Sequence, residues 1–354
     1  MQIKNLNPYL QAILAAILFG ISTPLSKLLL GEIDSIVLAS LLYLGSGLGI
    51  TTLLFFQKSF SNTFLNEAKI GRPDIPWLFG AVLAGGVAAP ILLLYSLRNT
   101  SAASASLLLN FEGVATTLIA ALIFKEEIGK RVFFAMISIT VGSILLSWMP
   151  TSNFQFSLAA FGIIGACILW GFDNNFIRNI SAKNPLTIVA IKGISSGTFS
   201  LVLAFLLKKS LPTNNQIIFA LLLGFVCYGL SIALFILAMR NLGAVRTSTM
   251  FGAAPFVGMI SSIVIFKNIP QGLFYYSLPF MFIGAWLMLG EHHEHTHIHE
   301  IIEHEHSHSH PEIHHEHMHK EDLSSIGKHS HKHIHELIEH NHTHTLDIHH
   351  RHQH

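Results

Sequence analysis

Ionisable residues within long apolar stretches are the first candidates for chemistry in this chain of 354 residues. Glu112 lies about eleven residues from either end of the apolar run at 102–124, which at about 1.5 Å per helical residue places it roughly 15 Å from each end. A carboxylate so deep in an apolar run can accept and release a proton or pair with a cationic substrate. The alternative is a permanently protonated Glu that hydrogen-bonds to a neighbouring helix. We favour the functional role.

Asp173 and Lys192 form a second candidate pair. Each stands about five or six residues inside its own apolar run, so both lie roughly 7–9 Å from the end of a helix. Matched depth on consecutive helices permits an ion pair, which serves either a function or only the attachment of two helices. Asn174 adds a polar group that needs a partner, and Trp170 either stacks on a ligand or packs against a helix.

Histidine dominates the last part of the chain, because all 24 histidines lie within 291–354. The recurring His-x-His spacing places alternate residues on one side of an extended chain, and neutral imidazole suits Zn²⁺, Ni²⁺, Co²⁺ or Cu²⁺. Two alternatives are a proton buffer or sensor and a disordered, solubilising tail. The expected metal ligands are His292, His293, His295, His297, His299, His304, His306, His308, His310, His314, His315, His317 and His319.

Covalent catalysis has no candidate residues in this sequence. No nucleophile constellation lies in an aqueous domain, and no phosphate-binding loop for ATP is present. Cys167 and Cys227 both stand inside apolar runs, which favours packing over a disulfide or a cysteine metal site. We therefore expect no enzyme activity and no required cofactor, with transition-metal ions bound by the tail.

The amino-acid composition indicates what kind of structural element carries the candidate residues before the tail. The chain is 51% hydrophobic and 12% charged, with a mean hydropathy of +0.52, whereas globular proteins carry about a quarter charged residues. Runs of about 17–25 apolar residues are long enough to cross a membrane as helices. Ten such spans are predicted, at 10–30, 36–56, 76–97, 102–124, 132–149, 156–177, 186–207, 217–239, 244–266 and 273–290, so the fold class is an all-α integral membrane protein.

The spans fall into two copies of five. Residues 97–127 match 239–269 at an offset of 142, with seven identities, and the spans that begin each copy match at an offset of 151. One longer connection at about 57–75 reconciles the two offsets, so the chain is an internal duplication. Since each copy has an odd number of spans, the second copy is inverted in the membrane. The predicted domains are 1–149, 150–290 and a disordered histidine-rich tail at 291–354.

The paired copies also carry the small-residue run Thr100–Ser106, Ala254-Pro255 in span 9, and Phe124-Lys125-Glu126. In these features the chain resembles the EamA-type permeases of the drug/metabolite transporter superfamily. The resemblance implies two inverted five-helix repeats and secondary transport of a small organic compound. It departs at Glu112-Gly113, where the family usually has a small residue and Pro, and at Asn268, where the first copy has Glu126.

The orientation of the chain in the membrane is predicted from the Lys and Arg residues in the connections between spans. With the N-terminus inside, eleven lie on the cytoplasmic side and five on the opposite side. We expect a multi-pass protein of the inner (plasma) membrane with both termini in the cytoplasm. Small residues at close spacing in spans 4 and 9 predict a contact between the two copies there.

The preferred hypothesis is proton-coupled or facilitated export of a small organic metabolite, with a metal-binding tail that regulates or buffers. The alternative is a transition-metal transporter whose tail collects Ni, Co or Zn ions. A membrane domain without His and without a Cys pair is poor in ligands for such metals, which favours the first hypothesis. A third, a metal sensor that transports nothing, lacks an output domain. Expected partners are the small-molecule substrate, the lipid bilayer and divalent transition metals but no nucleic acid, and a homodimer stays an open alternative.

Overall fold

The computed structural model describes residues 7–60, 70–125, 128–149, 155–180, 183–242, 247, 250–268, 270 and 272–288, together with four short segments of the tail. In spans 1–10 the described backbone is helical. Eight helices are long and apolar enough to cross a membrane, and two shorter apolar helices follow. The prediction of an all-α membrane domain with ten helices is thereby confirmed. The ten are Pro8–Leu29, Ser35–Phe55, Arg72–Leu97, Ala102–Ile123, Lys130–Ser147, Leu158–Asn179, Leu186–Leu206, Asn214–Met239, Ala254–Phe266 and Phe274–Met288.

Several spans are interrupted, which the apolar pattern did not predict. Span 1 divides into Pro8–Gly20 and Ser22–Leu29, and span 4 divides into Ala102–Leu108 and Phe111–Phe124. Span 3 consists of a 3₁₀ turn, two α-helices and a π-helix, and span 8 of two α-helices around a π-helix. Their bounds are Arg72–Asp74, Ile75–Ala81, Val82–Ala88 and Ala89–Leu97 in span 3, and Asn214–Leu223, Gly224–Leu230 and Ser231–Leu242 in span 8.

The interruptions repeat with the internal duplication. The π-helices start at Val82 and Gly224, an offset of 142. Spans 4 and 9 also end in the same way, because Lys125 (φ 55°) and Lys267 (φ 48°) both adopt the left-handed conformation after their helices. The two copies therefore share irregular backbone as well as sequence.

Strands occur only outside these ten helices in the part of the chain that the structure describes. Trp148–Met149 pairs antiparallel with Gln155–Phe156 between the two copies. In the tail, His293–His299 pairs with Ile338–His344, and Glu303–His308 pairs with His329–Ile334. Extended backbone of this kind can pair its N–H and C=O groups across a ladder, and the expectation of a disordered tail stays a prediction. The rest of the tail lies outside the described residues.

Contacts between the two copies follow the same symmetry. Spans 5 and 10 pack closely through two glycines, since a Cβ on Gly142 would lie 3.1 Å from the Met281 side chain and one on Gly284 would lie 2.5 Å from Ile139. The offset of 142 relates Ile139 to Met281 and Gly142 to Gly284. The contact is therefore nearly self-complementary, as at a twofold interface.

The first span of each copy packs into the other copy. Span 1 contacts spans 8 and 9, and span 6 contacts spans 3 and 4. Gly20 and Gly171, which correspond at the offset of 151, allow these approaches: an added Cβ would lie 2.5 Å from the Ala254 carbonyl oxygen and 3.0 Å from the Ala115 backbone, respectively. The largest apolar core joins spans 2, 3, 6 and 8 around fully buried residues such as Leu38.

Spans 4 and 9 contact each other where Gly258 approaches Ser106, as their small residues predicted. Spans 2 and 7 and spans 5 and 10 form more extensive contacts. Small residues lower the distance at which helices can pack, and several spans contain them, so the sequence did not reveal which pair comes closest.

Gly193→Ala tests the contact of spans 2 and 7. Its Cβ would lie 2.6 Å from the Gly47 backbone nitrogen, so the two helices must separate, and we expect a loss of about 1–3 kcal/mol of stability. Gly31→Ala is the matched control, because its nearest atom would be 3.4 Å away. The measurement is thermal unfolding of both variants in detergent; equal melting temperatures would contradict the proposed packing.

Candidate functional site

A cavity of about 430 Å³ lies in the bundle and is lined by residues of spans 1, 4, 5, 6, 8, 9 and 10. Both copies contribute to its wall. Corresponding positions of the two copies meet there, at the offsets of 151 and 142. They are the pairs Thr23/Asn174, Leu109/Phe251, Asn110/Gly252, Glu112/Ala254 and Gly113/Pro255. The cavity therefore lies where the two inverted copies face each other.

Interruptions of the helices bring polar groups to this cavity. Span 4 breaks at Leu109 and Asn110, and Glu112 stands in the first turn of the helix that follows. A negative side chain is favourable at that position, because the unpaired N–H groups of a helix start carry partial positive charge. Span 9 restarts at Ala254 in the equivalent place, where an apolar Ala replaces the carboxylate. The wall is thus symmetric in backbone and asymmetric in charge.

Span 6 supplies the partner of Glu112. The Asn174 side-chain amide donates to Glu112 Oε1 at 2.9 Å and to Thr116 Oγ1 at 3.1 Å. The next residue, Asn175, is buried and donates to the Thr116 carbonyl oxygen at 3.0 Å and the Gly171 carbonyl oxygen at 2.8 Å. Span 6 of the second copy is therefore held against span 4 of the first by side-chain amides.

A second polar cluster surrounds Gly85, in the π-helix of span 3. The Tyr43 hydroxyl donates to the Gly85 carbonyl oxygen at 2.7 Å, and Trp170 Nε1 donates to the same oxygen at 3.1 Å. A Cβ on Gly85 would lie 2.0 Å from Asp173 Oδ2, so glycine is required for the carboxylate to approach. Asp173 Oδ2 in turn forms an ion pair with Lys192 Nζ.

The residues predicted for a transport pathway separate into these two places. Glu112 and Asn174 line the cavity, whereas Asp173, Lys192 and Trp170 belong to the neighbouring cluster. Their part in transport stays a prediction. Sequence reasoning missed Thr23, Asn110, Thr116, Phe235 and Phe251, which line the cavity. The offset of 151 could have indicated Thr23, because it relates that residue to the predicted Asn174.

Metal ligands do not come together in the described part of the chain: no group of three or more His, Cys, Asp or Glu residues there could hold an ion. The side chains of the predicted tail ligands, from His292 to His319, lie outside the described residues. The metal-binding tail therefore stays a prediction.

Asp173 and Lys192 should depend on each other. Asp173 is 4% exposed, and its Oδ1 has no hydrogen-bond partner among the described residues, so Lys192→Met leaves a buried carboxylate without compensation and should cost about 3–5 kcal/mol. Asp173→Asn should likewise destabilise, and the double variant should be less damaged than the sum of both changes.

The coupling free energy between Asp173 and Lys192 is measured by unfolding the wild type, both single variants and the double variant in detergent. The ion pair of Lys209 with Asp34 is a matched control, because its lysine side chain is 39% exposed and such pairs contribute about 0–1 kcal/mol. Additive effects of Asp173→Asn and Lys192→Met would mean that the pair does not stabilise the protein as a unit.

Comparison with known proteins identifies the family to which this architecture belongs. The EamA-like transporter family matches residues 6–148 and 157–290. An uncharacterized transporter of Methanothermobacter thermautotrophicus is 28% identical over 290 residues, covering 76% of this chain and 83% of the relative. A solved crystal structure superposes with a TM-score of 0.57 at 16% identity, covering 79% of this chain and 95% of the other, and supports the fold alone. Since two consecutive matches cover both five-span copies, the chain belongs to the EamA-like transporter family.

Proposed function

We propose that the protein is a secondary transporter that moves a small organic metabolite through the cavity by alternating access. The observation that carries this proposal is the position of the cavity, whose wall is built from corresponding residues of two inverted copies. In inverted repeats each copy can adopt the conformation of the other, which exposes a central site to either side of the membrane in turn. Interrupted helices at such a site are usual in transporters.

Protons are the proposed coupling ion, and export is the proposed direction. Glu112 is the only carboxylate among the described residues that line the cavity, and a carboxylate facing a membrane cavity can alternate between protonated and charged forms. The titratable groups that act on it electrostatically are Asp173, Lys192, Tyr43 and Cys167. Of these, Asp173 and Lys192 form an ion pair with each other, so Lys192 is already engaged and Glu112 is the carboxylate that faces the cavity.

Glu112→Gln should abolish proton-coupled transport and leave the protein folded, because the amide retains the shape and cannot titrate. The substrate is first found by thermal shift of the purified protein against metabolites. Its transport is then measured in proteoliposomes as a function of internal and external pH. Wild-type rates should follow the proton gradient, and rates of Glu112→Gln should not.

Glu112→Asp is the matched control, since it keeps a titrating carboxyl group with one methylene less. It should retain dependence on pH at a reduced rate. A Glu112→Gln protein with the wild-type pH profile would exclude Glu112 as the proton site.

We propose further that the tail binds transition-metal ions in the cytoplasm and regulates or buffers, with both termini on that side of the inner membrane. The backbone register supports this: His293, His295 and His297 lie opposite His344, His342 and His340, and alternate residues of an extended strand fall on the same face. The second ladder pairs His304, His306 and His308 with His333, His331 and His329 in the same way. Histidines that share a face can combine as metal ligands.

Removing residues 291–354 should abolish most Ni²⁺ or Zn²⁺ binding, measured by calorimetry, and leave transport of the organic substrate in proteoliposomes measurable. Metal affinity of the full chain should fall below a pH of about 6.5, because protonated imidazole cannot ligate a metal. A reporter fused after Gly290 should be active in the cytoplasm. A shortened protein that transports metal and no organic compound would overturn the preferred function in favour of a metal transporter.

A further inference from the structure

One part of the apolar cavity wall is aromatic. Phe251 lies between two other phenylalanines, with ring centroids 5.3 Å from Phe19 and 4.8 Å from Phe235, and all three line the cavity. They come from spans 1, 8 and 9, whereas Glu112 and Asn174 come from spans 4 and 6. The cavity therefore has an aromatic wall and a polar wall with one carboxylate.

Positive charge is missing from this wall. Among the described residues that line the cavity there is no Lys, Arg or His. Lys192, the cation within electrostatic range of Glu112, is paired with Asp173, so its charge is already compensated. The Asn174 amide donates one hydrogen bond to Glu112 but adds no formal charge. A charged Glu112 thus faces a cavity that offers it no counterion.

We propose that the cavity selects a compact organic cation, an amine or small quaternary ammonium group attached to an aromatic or aliphatic body. Either cation supplies the counterion that Glu112 lacks, and the N–H groups of a protonated amine can also donate to acceptors on the polar wall. The phenylalanine rings attract the cation through their negative faces and bury its apolar body. The inference rests on the proposed transport function and assigns its substrate class.

Other ligand classes fit the same wall poorly. An anionic metabolite would meet a carboxylate and no compensating cation, which costs free energy in a site of low dielectric constant. A transition-metal ion would find one carboxylate and side-chain amides, whereas such ions are held by several His, Cys or carboxylate ligands. A volume of about 430 Å³ is at the small end of ligand pockets, which limits the cation to a compact one.

Binding of matched compounds to the full-length protein in detergent tests the substrate class. The compounds are 2-phenylethylamine, the neutral 2-phenylethanol and the anionic 3-phenylpropionate, measured by calorimetry at pH 7.5. The amine should bind at least about tenfold more tightly than the alcohol, which corresponds to about 1.4 kcal/mol, and the acid should not bind. Absence of amine binding at millimolar concentration, or equal binding of the alcohol or acid, would overturn the inference.

Two variants test whether the polar wall and the aromatic wall of the cavity both bind the amine. Glu112→Gln should weaken the amine at least about tenfold and leave the alcohol unchanged, because only the charge is removed. Phe251→Leu should weaken the amine several-fold while the melting temperature stays within a few degrees. If neither variant changes amine binding, the amine does not bind in this cavity and the inference is wrong.

One further variant separates this inference from the transport proposal. Thr23→Trp fills the cavity, in whose wall Thr23 lies. If it blocks transport of the screened metabolite while the amine shows no preference over the alcohol, the cavity is the transport site and only the cation class fails. If it leaves transport intact, the proposed site fails as well.

Discussion

Close contact of backbone between the two inverted copies is the constraint on which the rest of the structure depends. Within a membrane, lipid is as apolar as Leu or Ile, so helices associate through van der Waals packing and hydrogen bonds instead of the hydrophobic effect. Glycine permits the shortest approach. Gly47 and Gly193 meet backbone to backbone between spans 2 and 7, and Gly142 and Gly284 accept Met281 and Ile139 between spans 5 and 10. These contacts set how far apart the copies stand, and so determine the cavity between them.

Symmetric packing surrounds an asymmetric site. The pairs Glu112/Ala254 and Asn174/Thr23 occupy corresponding positions around the cavity, yet only one of the two possible carboxylate–amide contacts is present. Ala254 cannot accept the hydrogen bond that Glu112 accepts from Asn174. Duplication supplies two interchangeable halves, which alternating access requires, and the loss of equivalence at these positions gives the cavity one charged wall. Fold and chemistry thus depend on different residues of the same repeat.

Sequence alone predicted the part of this arrangement that hydropathy and spacing encode. Ten apolar runs and two offsets determined the spans and the duplication, and depth within a span identified Glu112 as a residue that needs a partner. Hydropathy does not report backbone hydrogen bonding, so the π-helices at Val82 and Gly224 and the break before Phe111 were not predicted. Nor does it report partners across the bundle: that Asn174, and not Asp173, reaches Glu112 depends on the rotation of span 6.

Three consecutive residues of span 6 connect the two polar clusters. Asp173 pairs with Lys192 beside the π-helix of span 3, Asn174 binds Glu112, and Asn175 holds the backbone of span 4. Because one helical turn carries all three, a rotation of span 6 that released Asn174 from Glu112 would also strain the ion pair with Lys192. The Gly85 carbonyl oxygen, which accepts from both Tyr43 and Trp170, opposes such a rotation at the other end of the cluster. These contacts therefore oppose a rotation of span 6 when the charge of Glu112 changes. If span 6 does rotate, the same three residues transmit the change from the cavity to the interface between the two copies.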